Sequence, residues 1–456
     1  MIFKTKNKIL KIIALAAILP LLGLGCKGSG TISRESLAPV ALNYWRVFDE
    51  PDDFSEIINA FRAQYPHINI TVKKIRIEEY EQSLLRALAE GNGPDIVSLH
   101  NTWLRQYKET LTPLPASITL PFTVVGSNNK TTTTLRTNPT LTLRELRNNF
   151  VDVAVDDSVI DGKIYGLPLS LDTLVLYYNR TLLNQANIPA PPATWTDFKD
   201  AVKTLTLQDR NGGIVQAGVA MGTSRNINRA PDILAVLMMQ NGTEMTAGSQ
   251  AAFNVVPQNF KDKSVVPGRD ALTFYTDFAS PAKEVYTWNE KMPESLNAFT
   301  SQKSAFLFGY AYHLPFIRSL APGLDLGIAK LPQISAGSKP VNFANYWIES
   351  VTKQSKYQNE AWAFVEFAAK ADNVKSFLSK AQKPTALRAL IAEQRQDDTL
   401  VTFADEVLTA QSWYRGLKPA QAEEAIRVMI DQVARGEQTS EEAINLAAQK
   451  VSETMK

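Results

Sequence analysis

The chain has 456 residues, 48 Lys plus Arg against 46 Asp plus Glu, and one cysteine. With 45% hydrophobic and 21% charged residues it reads as a globular protein of two or three domains, not a disordered chain. A formal charge of +2 supplies no basic field for nucleic acid, and a single thiol excludes an internal disulfide or a zinc site built on several thiolates.

Residues 1–25 read as an export signal. Lys4, Lys6, Lys8 and Lys11 form a basic start without an acid, and Ile12 to Leu24 form an apolar run too short to span a bilayer. The lone cysteine ends that run, in Leu22-Gly23-Leu24-Gly25-Cys26, and a small polar tether follows over 26–40. Removal of the signal would take away four lysines and leave a formal charge of −2.

Leu42 to Phe48 reads as a buried strand. Asp52 or Asp53 can cap a helix whose apolar stripe is Phe54, Ile57, Ile58, Phe61 and Tyr65, and Pro66 stops it. Ile68, Ile70 and Val72 alternate as a second strand. A second helix carries Leu84, Leu85 and Leu88 and ends at Gly91-Asn92-Gly93-Pro94, before a third strand, Asp95 to Leu99. That order predicts a parallel α/β sheet with right-handed crossovers. Over 112–150, Pro113, Pro115, Pro121 and the threonines 131–134 break any period, so an irregular insertion is expected there, part of it a hairpin. Asp161-Gly162-Lys163 signals a turn before two extended segments, Ile164 to Leu169 and Thr173 to Asn179. Thr194 opens a helix with Phe198 and Val202 inside. Helices and short strands alternate to about residue 350, and the end is helical, with a capping box at Thr439 to Glu442.

Enzyme signatures are sparse. His67, His100 and His313 lie far apart, and neither a nucleophile elbow nor a phosphate-binding loop occurs. Asp152, Asp156, Asp157 and Asp161 cluster just before a turn and read as a solvated loop.

Four segments occur in a telling order: Tyr44-Trp45-Arg46 through Tyr65-Pro66-His67-Ile68-Asn69-Ile70; Gly93-Pro94-Asp95-Ile96-Val97; Gly162 to Pro168 followed by Leu176-Tyr177-Tyr178-Asn179; and Thr194-Trp195-Thr196-Asp197-Phe198. Together they resemble the solute-binding proteins of ABC importers, in particular the sugar-binding, maltodextrin-binding-protein-like family. Leu22 to Cys26 likewise resembles a bacterial lipoprotein signal, with Gly25 as the small residue before a lipidated cysteine, although Gly23 stands where that pattern usually has Leu, Val or Ile.

The first resemblance implies an α/β fold of two lobes around a cleft, joined by hinge crossovers. By analogy, residues 41–172 plus 303–350 form lobe 1, with the insertion at 112–150, and 173–302 plus 351–456 form lobe 2. It implies a monomeric receptor, not an enzyme, needing no cofactor, metal or nucleic acid, that closes on a sugar or oligosaccharide and presents it to ABC permease subunits. The second resemblance implies an exported protein anchored to the outer face of the bacterial cytoplasmic membrane through Cys26. The alternatives are the same fold binding a peptide, a polyamine or another small solute, an exported glycosidase with two carboxylates about 5–10 Å apart, and an anchored adhesive protein.

A sugar offers C–H faces and hydroxyl rims, so its receptor needs aromatic plates and planar polar groups. Trp103, with Asn101 beside it, follows the third strand, where ligands of open α/β sheets sit. Trp45 and Arg46 end the first strand at the same rim. Trp288, Trp347 and Trp413 are further aromatic candidates. Asp172, at the presumed hinge, can serve a sugar hydroxyl or satisfy backbone. Tyr177 and Tyr178 alternate, so only one of them faces the cleft, and Tyr178 is the candidate. Trp195 and Trp362 lie on helix faces and read as core.

Overall fold

The first strand runs Val40–Arg46, with Val40, Leu42, Tyr44 and Arg46 turned inward by strict alternation. In this computed structural model, which describes residues 38–125, 131–260 and 262–456, the strand pairs in parallel with both Ile68–Lys74 and Ile96–His100. The helices Ser55–Gln64 and Ile77–Ala89 make the two crossovers, as their apolar stripes predict. Trp347–Thr352 then joins antiparallel to Ile96–His100, and Leu111–Thr112 closes the five-stranded sheet. The segment expected to be an export signal, and Cys26, lie outside the described residues. Among the described residues no helix is long and apolar enough to cross a membrane.

A second five-stranded sheet has the order Leu207–Gln208, Ile214–Val219, Ser304–Gly309, Val175–Asn179 and Leu326–Ala329. Between the two sheets lies a three-stranded ribbon, Ala410–Gln411, Asn342–Asn345 and Asp172–Thr173, where the chain passes from one lobe to the other. One apolar core gathers residues from 40–171 and 344–410, a second gathers residues from 174–343 and 414–451, and a smaller third gathers residues from 175–317 with Leu400 and Phe403.

Strand pairing departs from the division expected by analogy. Ser304–Gly309 is antiparallel to Val175–Asn179 and parallel to Ile214–Val219, so residues 303–343 build the second sheet, not the first. All six residues of Ser304–Gly309 are buried, which suits a central strand with cores on both faces. The chain regains the first lobe only at Asn342–Asn345. The helices Gln358–Ala368, Ala371–Ala381 and Arg388–Gln394 then pack on the first core, not the second. Pro419–Ala434 and Ser440–Thr454 pack on the second, as expected.

The insertion is more regular than its composition suggests. Ser117–Val125 and Thr131–Pro139 form an antiparallel hairpin in unbroken register, followed by the helix Leu143–Asn149 with Thr142 as its cap. Facing threonines bond across the strands, Thr119 to Thr137 at 2.8 Å and Thr123 to Thr133 at 2.9 Å. The aspartate cluster is solvated at Asp152, Asp156 and Asp161, as expected, but it is not all loop. Asp152–Ser158 is a helix, and buried Asp157 accepts hydrogen bonds from Asn101, Tyr346, Ser412 and Arg415.

Candidate functional site

A cavity of about 430 Å³ opens between the lobes beside the ribbon. Its first wall stands at the end of the strand Ile96–His100. Register places Trp347 opposite His100, and one short turn after His100 comes Trp103. The three rings therefore meet. Trp103 packs edge-on to Trp347 at 5.5 Å, and His100 meets Trp347 at 5.6 Å. Phe48 adds a fourth ring. The facing wall comes from the second lobe: Tyr312, Trp413, Tyr414, Arg229, Asp232 and Glu423. The ribbon supplies Phe343 and Asn345.

One polar chain crosses from wall to wall. Asp232, in the first turn of the helix Ala230–Gln240, accepts from Arg229 Nε at 2.8 Å and Nη2 at 2.9 Å, and from the Tyr310 hydroxyl at 2.6 Å. Burial opposes ionisation, but Arg229 and these bonds hold the Asp232 carboxyl below the usual carboxylate range. The Asn345 amide lies 3.5 Å from Asp232, and its oxygen lies 3.3 Å from His100 Nε2. Burial, with Arg229 nearby, pushes the His100 imidazole down to about 4, so the ring is neutral at physiological pH. Its Nδ1 accepts the Thr102 backbone N–H at 3.4 Å, which leaves the ring proton on Nε2, facing the Asn345 oxygen. Glu423 lies 3.6 Å from Arg229 and accepts from Arg427 at 2.8 Å. The charges on this wall are thus paired with one another. Such a surface suits a neutral ligand rich in hydroxyls, which both gives and takes hydrogen bonds.

Of the sequence candidates, Trp103, Trp347 and Trp413 line the cavity together. The other six do not line it. Asn101 is buried and donates to Asp157 at 3.0 Å. Trp45 lies under Lys73, whose ammonium is 4.7 Å from the ring centre. Arg46, 2% exposed, is held inside the first lobe by Asp49 and Glu349, because alternation turns the last strand residue inward. Asp172 serves backbone, accepting the N–H groups of Thr173, Ala311 and Tyr312. Tyr178 packs on the second core beside Gly327, where no Cβ would fit against its ring. Trp288 is 0% exposed in that same core. Trp195 and Trp362 are core, as expected.

Sequence reasoning missed Phe48, Tyr312, Arg229, Asp232, Asn345 and Glu423 as lining residues. Asn345 was within reach, two residues before Trp347. Arg229 and Asp232 form an ordinary i,i+3 pair at a helix start and carry no motif. A larger groove, about 800 Å³, lies beneath the hairpin, but residues of the first lobe alone line it. Among the described residues no group of His, Cys, Asp and Glu could hold a metal ion.

A family model described as bacterial extracellular solute-binding protein matches residues 56–399. The chain belongs to that family. A binding protein of Brucella abortus is 25% identical over 333 residues, 70% of this chain and 69% of its own length. The maltodextrin-binding protein of Bacillus subtilis is 24% identical over 323 residues, covering 68% of this chain and 71% of its own. The solved structure of a cyclic α-maltosyl-1,6-maltose binding protein from Arthrobacter globiformis superposes with a TM-score of 0.71 at 19% identity, over 92% of this chain and 99% of that one. The fold of this solute-binding protein is accordingly the two-lobed α/β architecture around a cleft, and the cavity described here occupies that cleft.

Proposed function

We propose that this solute-binding protein captures a neutral carbohydrate in the interlobe cavity by hinge closure and delivers it to an ABC permease. One observation carries the reading. Trp103 and Trp347 on one lobe and Trp413 on the other enclose a charge-balanced chain of hydrogen-bonding groups. Aromatic plates match the C–H faces of a sugar, and the polar chain matches its hydroxyls. A ligand held by both walls favours the closed arrangement, because it binds that arrangement more tightly than the open one. The sugar-binding names among the relatives support the same ligand class. Closure alone accounts for the task, and the proposal includes no chemical step. The Leu22 to Cys26 signal supports export and anchoring at the outer face of the membrane by a lipidated Cys26.

Calorimetry with maltotriose, tagatose, spermidine and a tripeptide tests the ligand class. A sugar should bind, and Trp103→Ala should weaken it tenfold or more, about 1.4 kcal/mol. Binding of spermidine alone would overturn the carbohydrate reading, and turnover of the sugar would overturn the receptor reading. For the anchor, Cys26→Ser should move the protein from the membrane fraction to the soluble one. Retention at the membrane would dismiss lipidation as the tether.

A further inference from the structure

The loop that follows the first strand holds one aromatic residue in a costly conformation. Phe48 has φ of 65°, and the Asp49 N–H reaches back to the Val47 carbonyl at 2.7 Å, so Phe48 is the apex of a γ-turn on the left-handed side. Bulky side chains rarely adopt that region, and strain of this kind persists only where the surroundings impose it. Here both neighbours are anchored. Val47 is buried in the first core, and buried Asp49 accepts from Arg46 Nε at 3.1 Å and from Lys383. With its flanks fixed, the apex stands clear of the core, and the residue is 38% exposed.

The exposed ring is not idle. It stacks on Tyr312 of the second lobe, with centroids 5.7 Å apart and planes 9° from parallel. It also meets the edge of Trp347 at 6.1 Å. Tyr312 is a prepared platform. Its ring stacks on His313 at 4.1 Å, and Asp172 in the ribbon accepts the N–H groups of Ala311 and Tyr312 at 2.9 and 3.2 Å. Strain in one lobe, a fixed receiver in the other and a place on the cavity wall come together at a single residue.

We propose that Phe48 is an aromatic clasp, a strained ring presented by the first lobe that docks on Tyr312 of the second lobe and thereby sets both the open–closed balance and the affinity of the cleft. This rests on the proposed sugar-binding role only for its second half, because the balance exists without a ligand.

The full chain is compared with Phe48→Ala, Phe48→Gly and Phe48→Tyr. In small-angle scattering without sugar, the Ala and Gly variants should show a larger radius of gyration, and the Tyr variant should match wild type. In calorimetry with maltotriose, Ala and Gly should lose about two- to tenfold in affinity, the range of one aromatic pair, and Tyr should restore it. The Gly variant should melt above the Ala variant, because glycine alone adopts this φ freely. Scattering and affinity of Phe48→Ala that coincide with wild type would overturn the proposal, as would a loss that Phe48→Tyr fails to restore. Should one variant misfold, the other small variant gives the same reading. If wild type binds no sugar at all, the carbohydrate reading falls, while the scattering comparison still decides the clasp.

Discussion

Arg46 places a full charge in the interior of the first lobe. Burial works against that charge, and Glu349, Tyr44 and Asp49 more than offset it, so the guanidinium stays firmly protonated. Glu349 lies 2.6 Å away on a strand 303 residues later and also accepts from Tyr44 and Ser98, so three adjacent strands converge on one carboxylate. Removing the cation would leave Glu349 buried with no opposite charge, while Asp49 would keep only Lys383. Arg46→Ala should therefore cost about 3–5 kcal/mol in urea unfolding. A cost below about 1 kcal/mol would place the side chain in solvent, as an exposed pair would be. Asp172 poses a different problem. Burial raises its carboxyl to about 7, despite three backbone N–H donors. In the unfolded chain the proton leaves near about 4. Between those values the folded state holds the extra proton, so this group's contribution to stability is full below about pH 4 and is lost as the pH rises through about 7. Asp172→Asn removes that titration. The melting temperature of the variant relative to wild type should rise between about pH 4.5 and about pH 7, then level off. A constant difference across that range would show that Asp172 is already ionised in the fold.

The hairpin pairs a strand that alternates, with Ile118, Leu120, Phe122 and Val124 on every second position, with a partner, Thr131–Pro139, that has no hydrophobic period. Ile118 and Leu120 point into the first core, while Val124 and Leu135 are exposed. Leu120→Ala should cost about 2–5 kcal/mol, as core truncations do, and Leu135→Ala no more than about 0.5 kcal/mol, as surface changes do. Equal costs in denaturant titrations would mean that the two faces are wrongly assigned. The same contrast explains what the sequence makes legible. The opening strands and helices were readable because one buried face per element leaves a local period, 2 for Val40–Arg46 and 3.6 for Ser55–Gln64. Thr131–Pro139 is exposed almost throughout, so it leaves no such trace. Ser304–Gly309 is legible as a strand, but which sheet it enters is decided by a partner more than a hundred residues earlier. The site divides in the same way. Trp103 and Trp347 flank strands and can be found from strand ends, whereas Asp232 and Tyr312 reach the cavity only because of how the second lobe folds.

At the scale of the whole molecule, the ribbon and the aromatic plates are joined by the chain itself. Asn342–Asn345 leads within two residues to Trp347 in the first lobe, and Ala410–Gln411 leads within two residues to Trp413 at the second. Under the proposed closure, rotation at the ribbon therefore moves both plates directly. The two walls should then play unequal parts. A ligand that first settles on the first lobe needs Trp103 for affinity, and it drives closure only through contacts it gains on the second lobe. Trp103→Ala should weaken maltotriose binding, yet still allow full compaction in small-angle scattering once the protein is saturated. Trp413→Ala should retain weak binding in calorimetry and lose most of the compaction, because the closed arrangement no longer offers the ligand a second plate. If both saturated variants compact as wild type does, closure is driven by contacts other than the second-lobe plate, and the polar chain from Asn345 to Asp232 becomes the element that senses the ligand.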